Sequence, residues 1–396
     1  MDHTEREGLM KDAAVIDAEA ILLQAGIMAG VPQTDAALAG RVHALAHWIN
    51  GLGPLTSAQA DAGAAQLRQL LFNRLRLASD RSRLPGIAAE RIERPIFVVG
   101  MARTGTSLLH SLLALDPGAA APVWWQTVTP SPPPGEVPIA PARLHYAAQE
   151  LDVILLRAPG LLALHPYWDK RDQAIVEDEE IFALDFRGAY PTKLFNIPTL
   201  RIDITPTDPS GAYAFLREFL QHFQWNRRVK RWVCKGVMHQ FNLATLFEVF
   251  PDAVCIWPHR DPSEVMPSIL AIIMTLYGSI THWRIDPREI ATTQVEGYRQ
   301  ALHSIVDDPM ARDRRVHHVT FRQLSADPVG VIRTFYSASG LDFSDAFAHE
   351  LRAWLDDPAN DSRRYGRYQY SLEHYGLDPV HLKSAFAGYR HRFGIT

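Results

Sequence analysis

Arg94-Pro-Ile-Phe-Val-Val-Gly100-Met-Ala-Arg103-Thr104-Gly105-Thr106-Ser107 decides the fold. Its first half is a short β-branched run of buried-strand type that stops at a glycine. Its second half passes into Thr104–Leu115, a helical stretch closed by Asp116-Pro117-Gly118. Toward the C-terminus the same unit recurs. Arg231-Trp-Val-Cys234 is followed by a helix through Phe250, and Ala253-Val-Cys-Ile-Trp257 runs into Pro258-His-Arg-Asp-Pro262 and another helix. Val316–Phe321 then precedes a helix over Val329–Ser339. Strands alternating with helices predict an α/β fold, a parallel sheet flanked by helices in which ligands bind beyond the carboxyl ends of the strands.

Toward the N-terminus the period changes. From Ala13 to Leu77 apolar residues recur every three or four positions (Ile21, Leu22, Ile27; Leu67, Leu70, Leu71, Leu75). This predicts three or four amphipathic helices, broken near Gly51–Pro54 and ended before Leu84-Pro85-Gly86. The chain thus divides into an α-helical N-terminal region, residues 1–90, and an α/β nucleotide-binding unit, residues 91–396, with its phosphate-binding loop after the first strand. Pro130–Pro141 is proline-rich and predicts a polyproline-type surface loop.

The composition of the 396 residues, 47% hydrophobic, 21% charged and 10% aromatic, is that of a globular chain and excludes a disordered or repetitive one. Forty basic against 44 acidic residues leave −4, so a general nucleic-acid or anionic-membrane binder is disfavoured and any anion site must be a local cluster. Cys234 and Cys255 lie in apolar strand-like runs and predict buried thiols, with neither a disulfide framework nor zinc spacing. The opening MDHTEREGLMKD lacks the apolar stretch of a targeting signal, and the longest apolar run, Ile269–Leu276, is too short to span a bilayer. A cytoplasmic protein without a membrane span is expected, and the sequence leaves a homo-oligomer open.

The phosphate loop of nucleoside triphosphatases has two glycines five apart, then Lys, then Ser or Thr. Here Gly100 and Gly105 are in place, but Thr106 stands at the lysine position and Arg103 lies inside the loop. That argues against a magnesium-triphosphate kinase and for an anion cradle of amides, hydroxyls and one guanidinium. At the third strand end, Arg260 and Ser268 lie eight residues apart across a helix start, suited to a second, separate phosphate. His317–His318 lacks a helical metal spacing, so no metal is expected.

These residues resemble those of sulfotransferases that use 3′-phosphoadenosine 5′-phosphosulfate (PAPS), of the bacterial type with a helical N-terminal extension. The resemblance implies that Arg103, Thr104, Gly105, Thr106 and Ser107 cradle the 5′-phosphosulfate and that Arg260 and Ser268 clamp the 3′-phosphate. The segment after Lys235, with His239 and Leu243, is similar to the family's Lys-Ser-Pro segment, and Phe321-Arg-Gln-Leu to its Tyr-Glu-Asp-Leu adenine segment. Tyr368–Phe393 resembles its C-terminal helix region. The implied reaction moves a sulfonate from PAPS to the hydroxyl of a hydrophobic small molecule, leaving adenosine 3′,5′-bisphosphate (PAP), with Arg103 and Lys235 as cations at the transferring group.

The departures concern the general base. Gly236 and Val237 follow Lys235 where the family shows Ser or Thr and then Pro or His, and Gln126 follows Trp125 where it shows Glu. A PAPS- or PAP-binding protein of the same fold without turnover is the alternative these two positions raise. A base contributes ~10²–10⁴-fold, so a substitute is sought among His110, His165 and His239. His165, in Leu164-His-Pro-Tyr-Trp168, is preferred as lying in the segment that should line the acceptor site. Glu177-Asp-Glu-Glu180 reads as a solvated helix start.

Overall fold

The run after Arg94 forms strand β1 (Ile96–Val99), each of whose residues is fully buried. It lies at the centre of a five-stranded sheet with β2 (Ala119–Ala120), β3 (Arg231–Gly236), β4 (Val254–His259) and β5 (Val316–Thr320), in the order β2-β3-β1-β4-β5. All four pairings are parallel, with Phe97 opposite both Cys234 and Cys255. The computed structural model describes residues 13–31, 33–51, 53–188, 208–281, 286–366 and 371–395. MDHTEREGLMKD and Tyr368–Tyr370 of the sequence reading lie outside the described residues.

Alternation along the strands splits the core into two faces. Ile96, Val98, Val233 and Ile256 pack with Leu109, Leu112 and Ile332. Phe97, Val99, Trp232 and Cys255 pack on the other face with Phe219, Phe223 and Phe250. Three N-terminal helices, α1 (Ala18–Ala29), α2 (Ala36–Asn50) and α3 (Ser57–Arg83), join this second core through Ile21, Val42, Leu67 and Leu71. Their starts are fixed locally. Asp17 and Asp35 accept first-turn amides, and Thr56 with Gln59 forms a capping box. The break at residues 51–54 leads into Leu55–Thr56, which pairs antiparallel with Ala13–Ala14.

Connections leave the central strand in both directions, so the crevice for ligands opens beyond β1, β3 and β4. Helix α4 (Thr106–Leu113) follows the β1 loop, α5 (Asp178–Leu184) precedes α6 (Pro209–Gln224), and α7 (Pro262–Thr281) follows β4. No helix among the described residues is long and apolar enough to cross a membrane.

Candidate active site

A cavity of about 1170 Å³ lies at these strand ends. After β1 the chain turns through Gly100 (φ +122°), Arg103 (φ +67°) and Gly105 (φ +97°) before α4 begins. A Cβ on Gly105 would sit 2.7 Å from Leu324 Cδ2 and 3.2 Å from Phe321, so this turn has room for glycine alone. The first-turn amides of α4 have no partners within the helix and lie beside the cavity.

The structure brings Arg103, Gly105, Thr106, Ser107, His165, Lys235, Arg260, Ser268 and Phe321 to this cavity. Thr104 is fully buried, and its hydroxyl donates to the Met101 carbonyl at 2.8 Å, so its side chain is spent on the turn. Arg103 donates through Nη1 to the Leu164 carbonyl. Arg260 Nε donates to Glu264 at 3.1 Å, and its guanidinium lies 4.6 Å from the Phe321 ring centroid. Lys235 stands on β3 itself, 3% exposed, with Nζ 3.4 Å from the Ser107 hydroxyl.

Lys235 also pairs with Glu177, and this corrects the solvated reading of Glu177–Glu180. Asp178, Glu179 and Glu180 are buried, and Glu177 and Glu179 line the cavity. The run looked exposed because four acids before an apolar stretch mimic an amphipathic helix start; partners distant in sequence draw it inside. Burial pushes the Glu177 carboxyl up, but the Lys235 ammonium and His165 outweigh it and hold Glu177 well below the usual carboxylate range. Glu179 accepts the Met238 amide at 3.1 Å and is pushed up to about 8, first by burial and then by the Glu177 charge. One start of one helix therefore offers the cavity an anion and a neutral acid.

The three histidines separate. His110 gives Nε2 to the Val233 carbonyl at 3.1 Å, and burial followed by the Lys235 charge pushes it down to about 3. His239 is fully buried between Asp178 (2.9 Å) and Tyr213 (2.7 Å). His165 alone of the three lines the cavity, with Nε2 3.7 Å from Glu177 Oε1 and its ring 5.0 Å from that of Trp168. Burial pushes its ring down, against the opposing pull of Glu177. Gln126 is 4% exposed and accepts the Val123 amide at 3.0 Å, closing its own helix turn away from the cavity walls.

One stretch of the wall is apolar, formed by Leu161, Leu164, Trp168, Ile269, Ile272 and Leu276, and another is polar, with Asp356, Asp357, Asn360 and Asp361. Among the described residues no three His, Cys, Asp or Glu side chains are grouped to hold a metal ion.

Known proteins share both the fold and the sequence. A model described as the sulfotransferase family matches residues 95–345, more than half of the chain. Omega-hydroxy-beta-dihydromenaquinone-9 sulfotransferase Stf3 of Mycobacterium bovis is 27% identical over 305 residues, 72% of either chain, and Stf3 of Mycobacterium tuberculosis matches equally. The crystal structure of sulfotransferase STF9 from Mycobacterium avium superposes with a TM-score of 0.80 at 26% identity, covering 96% of this chain and 98% of its own. Sulfotransferase STF1 from Mycobacterium tuberculosis, at 22% identity, TM-score 0.71 and coverages of 96% and 100%, shares the fold. With Arg103, Lys235 and Arg260 gathered at the strand ends inside the matched region, the chain belongs to the sulfotransferase family.

Proposed function

We propose that this sulfotransferase uses PAPS as donor and the hydroxyl of a hydrophobic phenol or alcohol as acceptor, releasing PAP without a metal ion. One observation carries the reading: cations and hydroxyls from three adjacent strand ends line one part of a cavity that also has an apolar stretch of wall, Leu161, Leu164, Trp168, Ile269, Ile272 and Leu276. The cradle fits an anionic donor, because the turn at Gly105 leaves no space for a side chain and puts the α4 amides beside Arg103. In this reading Arg103, the Thr104–Ser107 backbone and the hydroxyls of Thr106 and Ser107 hold the 5′-phosphosulfate. Arg260 and Ser268 hold the 3′-phosphate, and Phe321 packs on the adenosine.

Bound PAPS supplies an activated sulfonate on a phosphate leaving group. Lys235, already beside Ser107, stabilises charge that builds up on the departing oxygen. The acceptor hydroxyl gives its proton to the His165–Glu177 pair. A neutral imidazole that takes the proton becomes a cation 3.7 Å from a carboxylate, whose charge favours that form. Arg103, Lys235 and His165 are thus the groups at the reacting atoms. A hydroxyl on an apolar body suits the walls, and an omega-hydroxy compound is the acceptor in the name of the curated relatives. Residues 1–90 serve as a helical platform for the α/β unit of residues 91–396. The unbridged, buried Cys234 and Cys255 are in keeping with a reducing, cytoplasmic setting.

Calorimetry with PAP and with ATP, each with and without chelator, tests the donor. Tight PAP binding indifferent to chelator is expected, and magnesium-dependent ATP binding in its place would sink the reading. Transfer from PAPS to 2-naphthol by His165→Gln and Glu177→Gln tests the pair. Each loses ~10²-fold or more in kcat, and a His165→Gln variant of full activity removes histidine from the proton's path.

A further inference from the structure

Part of the cavity wall comes from residues 354–366, C-terminal to the family-shared 95–345. Trp354, Leu355 and Pro358 face the cavity from this strap, and Leu164, His165 and Tyr167 face it from another segment. Rings of Trp354 and Tyr167 meet at 6.0 Å.

Arg364 joins the two segments. Its Nε donates to Asp169 Oδ2 at 2.9 Å and its Nη2 to the Pro166 carbonyl at 2.8 Å, while Nη1 donates to Asp361 of its own strap at 2.9 Å. Tyr365 donates to the same Asp169 oxygen at 3.0 Å. The guanidinium lies 5.6 Å from the Tyr167 ring centroid and 5.2 Å from that of Tyr365, and its side chain is 13% exposed. All three guanidinium nitrogens are engaged at a sheltered site, where such bonds exceed a surface ion pair in strength. The clasp ends on Pro166, one peptide from His165.

Resting on the acceptor reading above, we propose that Arg364 is a positioning residue: it pins strap 354–366 to the 165–169 segment and so fixes the width of the acceptor end, selecting slim apolar hydroxyl compounds over broad, ring-fused ones. In this proposal an acceptor that needs the strap displaced breaks the clasp, and the bonds lost set the discrimination against it.

The test compares 4-nitrophenol with oestradiol, two phenols of different breadth. It uses kcat/KM in PAPS-driven transfer and acceptor affinity for the PAP complex by calorimetry. Arg364→Ala lowers the preference for 4-nitrophenol about tenfold by both readouts, the scale of one charge-assisted bond, with PAP affinity unchanged. Arg364→Lys restores part of the preference, since an ammonium reaches Asp169 but cannot span all three carbonyl and carboxylate partners. Tyr365→Phe removes a single bond to a carboxylate that Arg364 still holds and moves the preference the same way by about two- to threefold, so it carries the test if Arg364→Ala does not fold. An unchanged preference in the folded variants with intact PAP binding overturns the clasp and leaves the donor reading standing. A wild-type protein that binds no PAP overturns both.

Discussion

Glu177 and Asp185 flank the same short helix, α5, and meet different company. Asp185, 2% exposed, receives three guanidiniums: Arg41 at 2.9 Å, Arg74 at 2.5 Å and Arg187 at 2.6 Å. Glu177 receives one ammonium, which also reaches toward Ser107, and a neutral imidazole. The Glu177 side chain is 16% exposed against 2% for Asp185, so placement at the cavity separates the two roles. Asp185 is saturated and ties α2 and α3 to the helix that carries the cavity's acids. Glu177 faces the cavity, and its lysine lies beside Ser107 in the cradle.

The largest effect expected from breaking this contrast is at Lys235. Lys235→Met lowers kcat by ~10²–10³-fold, the scale for losing one group that stabilises developing charge. Rapid-quench single-turnover transfer measures it, and a Lys235→Met/Glu177→Gln double variant recovers stability without recovering rate. A double variant with wild-type rate would show that the lysine serves the fold alone.

Next comes Asp185→Asn, which leaves three guanidiniums without their shared anion. It lowers stability by ~3–5 kcal/mol, as read from denaturant unfolding, while kcat per folded molecule stays near wild type. A loss of rate as large as that of Lys235→Met, at full folding, would erase the distinction between the two acids.

The smallest effect sharpens the contrast through pH. Glu179, pushed up to about 8 against 4.5 in free form, keeps in the folded chain a proton that the unfolded chain has released. Its contribution therefore erodes stability as pH rises from about 4.5 to 8 and then levels off. Glu177, held low, works the other way: its contribution is present above the usual carboxylate range and is lost on acidification. Glu179→Gln should flatten the decline between pH 5.5 and 8.5 in denaturant midpoints. An identical slope in both proteins would mean that Glu179 is ionised at neutral pH.

What was legible in the sequence was what neighbours in the chain decide. The strand ends at Gly100, Lys235 and Arg260 follow from local apolar runs and breaker residues, and so do the N-terminal helices with their Asp17, Asp35 and Thr56 caps. Ala119–Ala120 escaped because two small residues carry no strand signal. Glu177 and Glu179 escaped because the partners that draw them inward, Lys235 and Met238, lie 58 and 59 residues away. Residues 354–366 escaped as well, since their tie to the cavity comes from Arg364 reaching Asp169, 195 residues back.

Gly236 stands where the family pattern has a hydroxyl, and its surroundings make that departure hard to reverse. A Cβ there would lie 2.8 Å from His239 Nε2 and 3.0 Å from Glu179 Oε2. A side chain at 236 therefore needs His239 to shift and Glu179 to give as well, so room has to be made at both positions. The three positions form an epistatic unit, in which the order of substitution matters. A side chain placed at 236 thus bears at once on the Glu179 acid and on the Asp178–His239–Tyr213 chain.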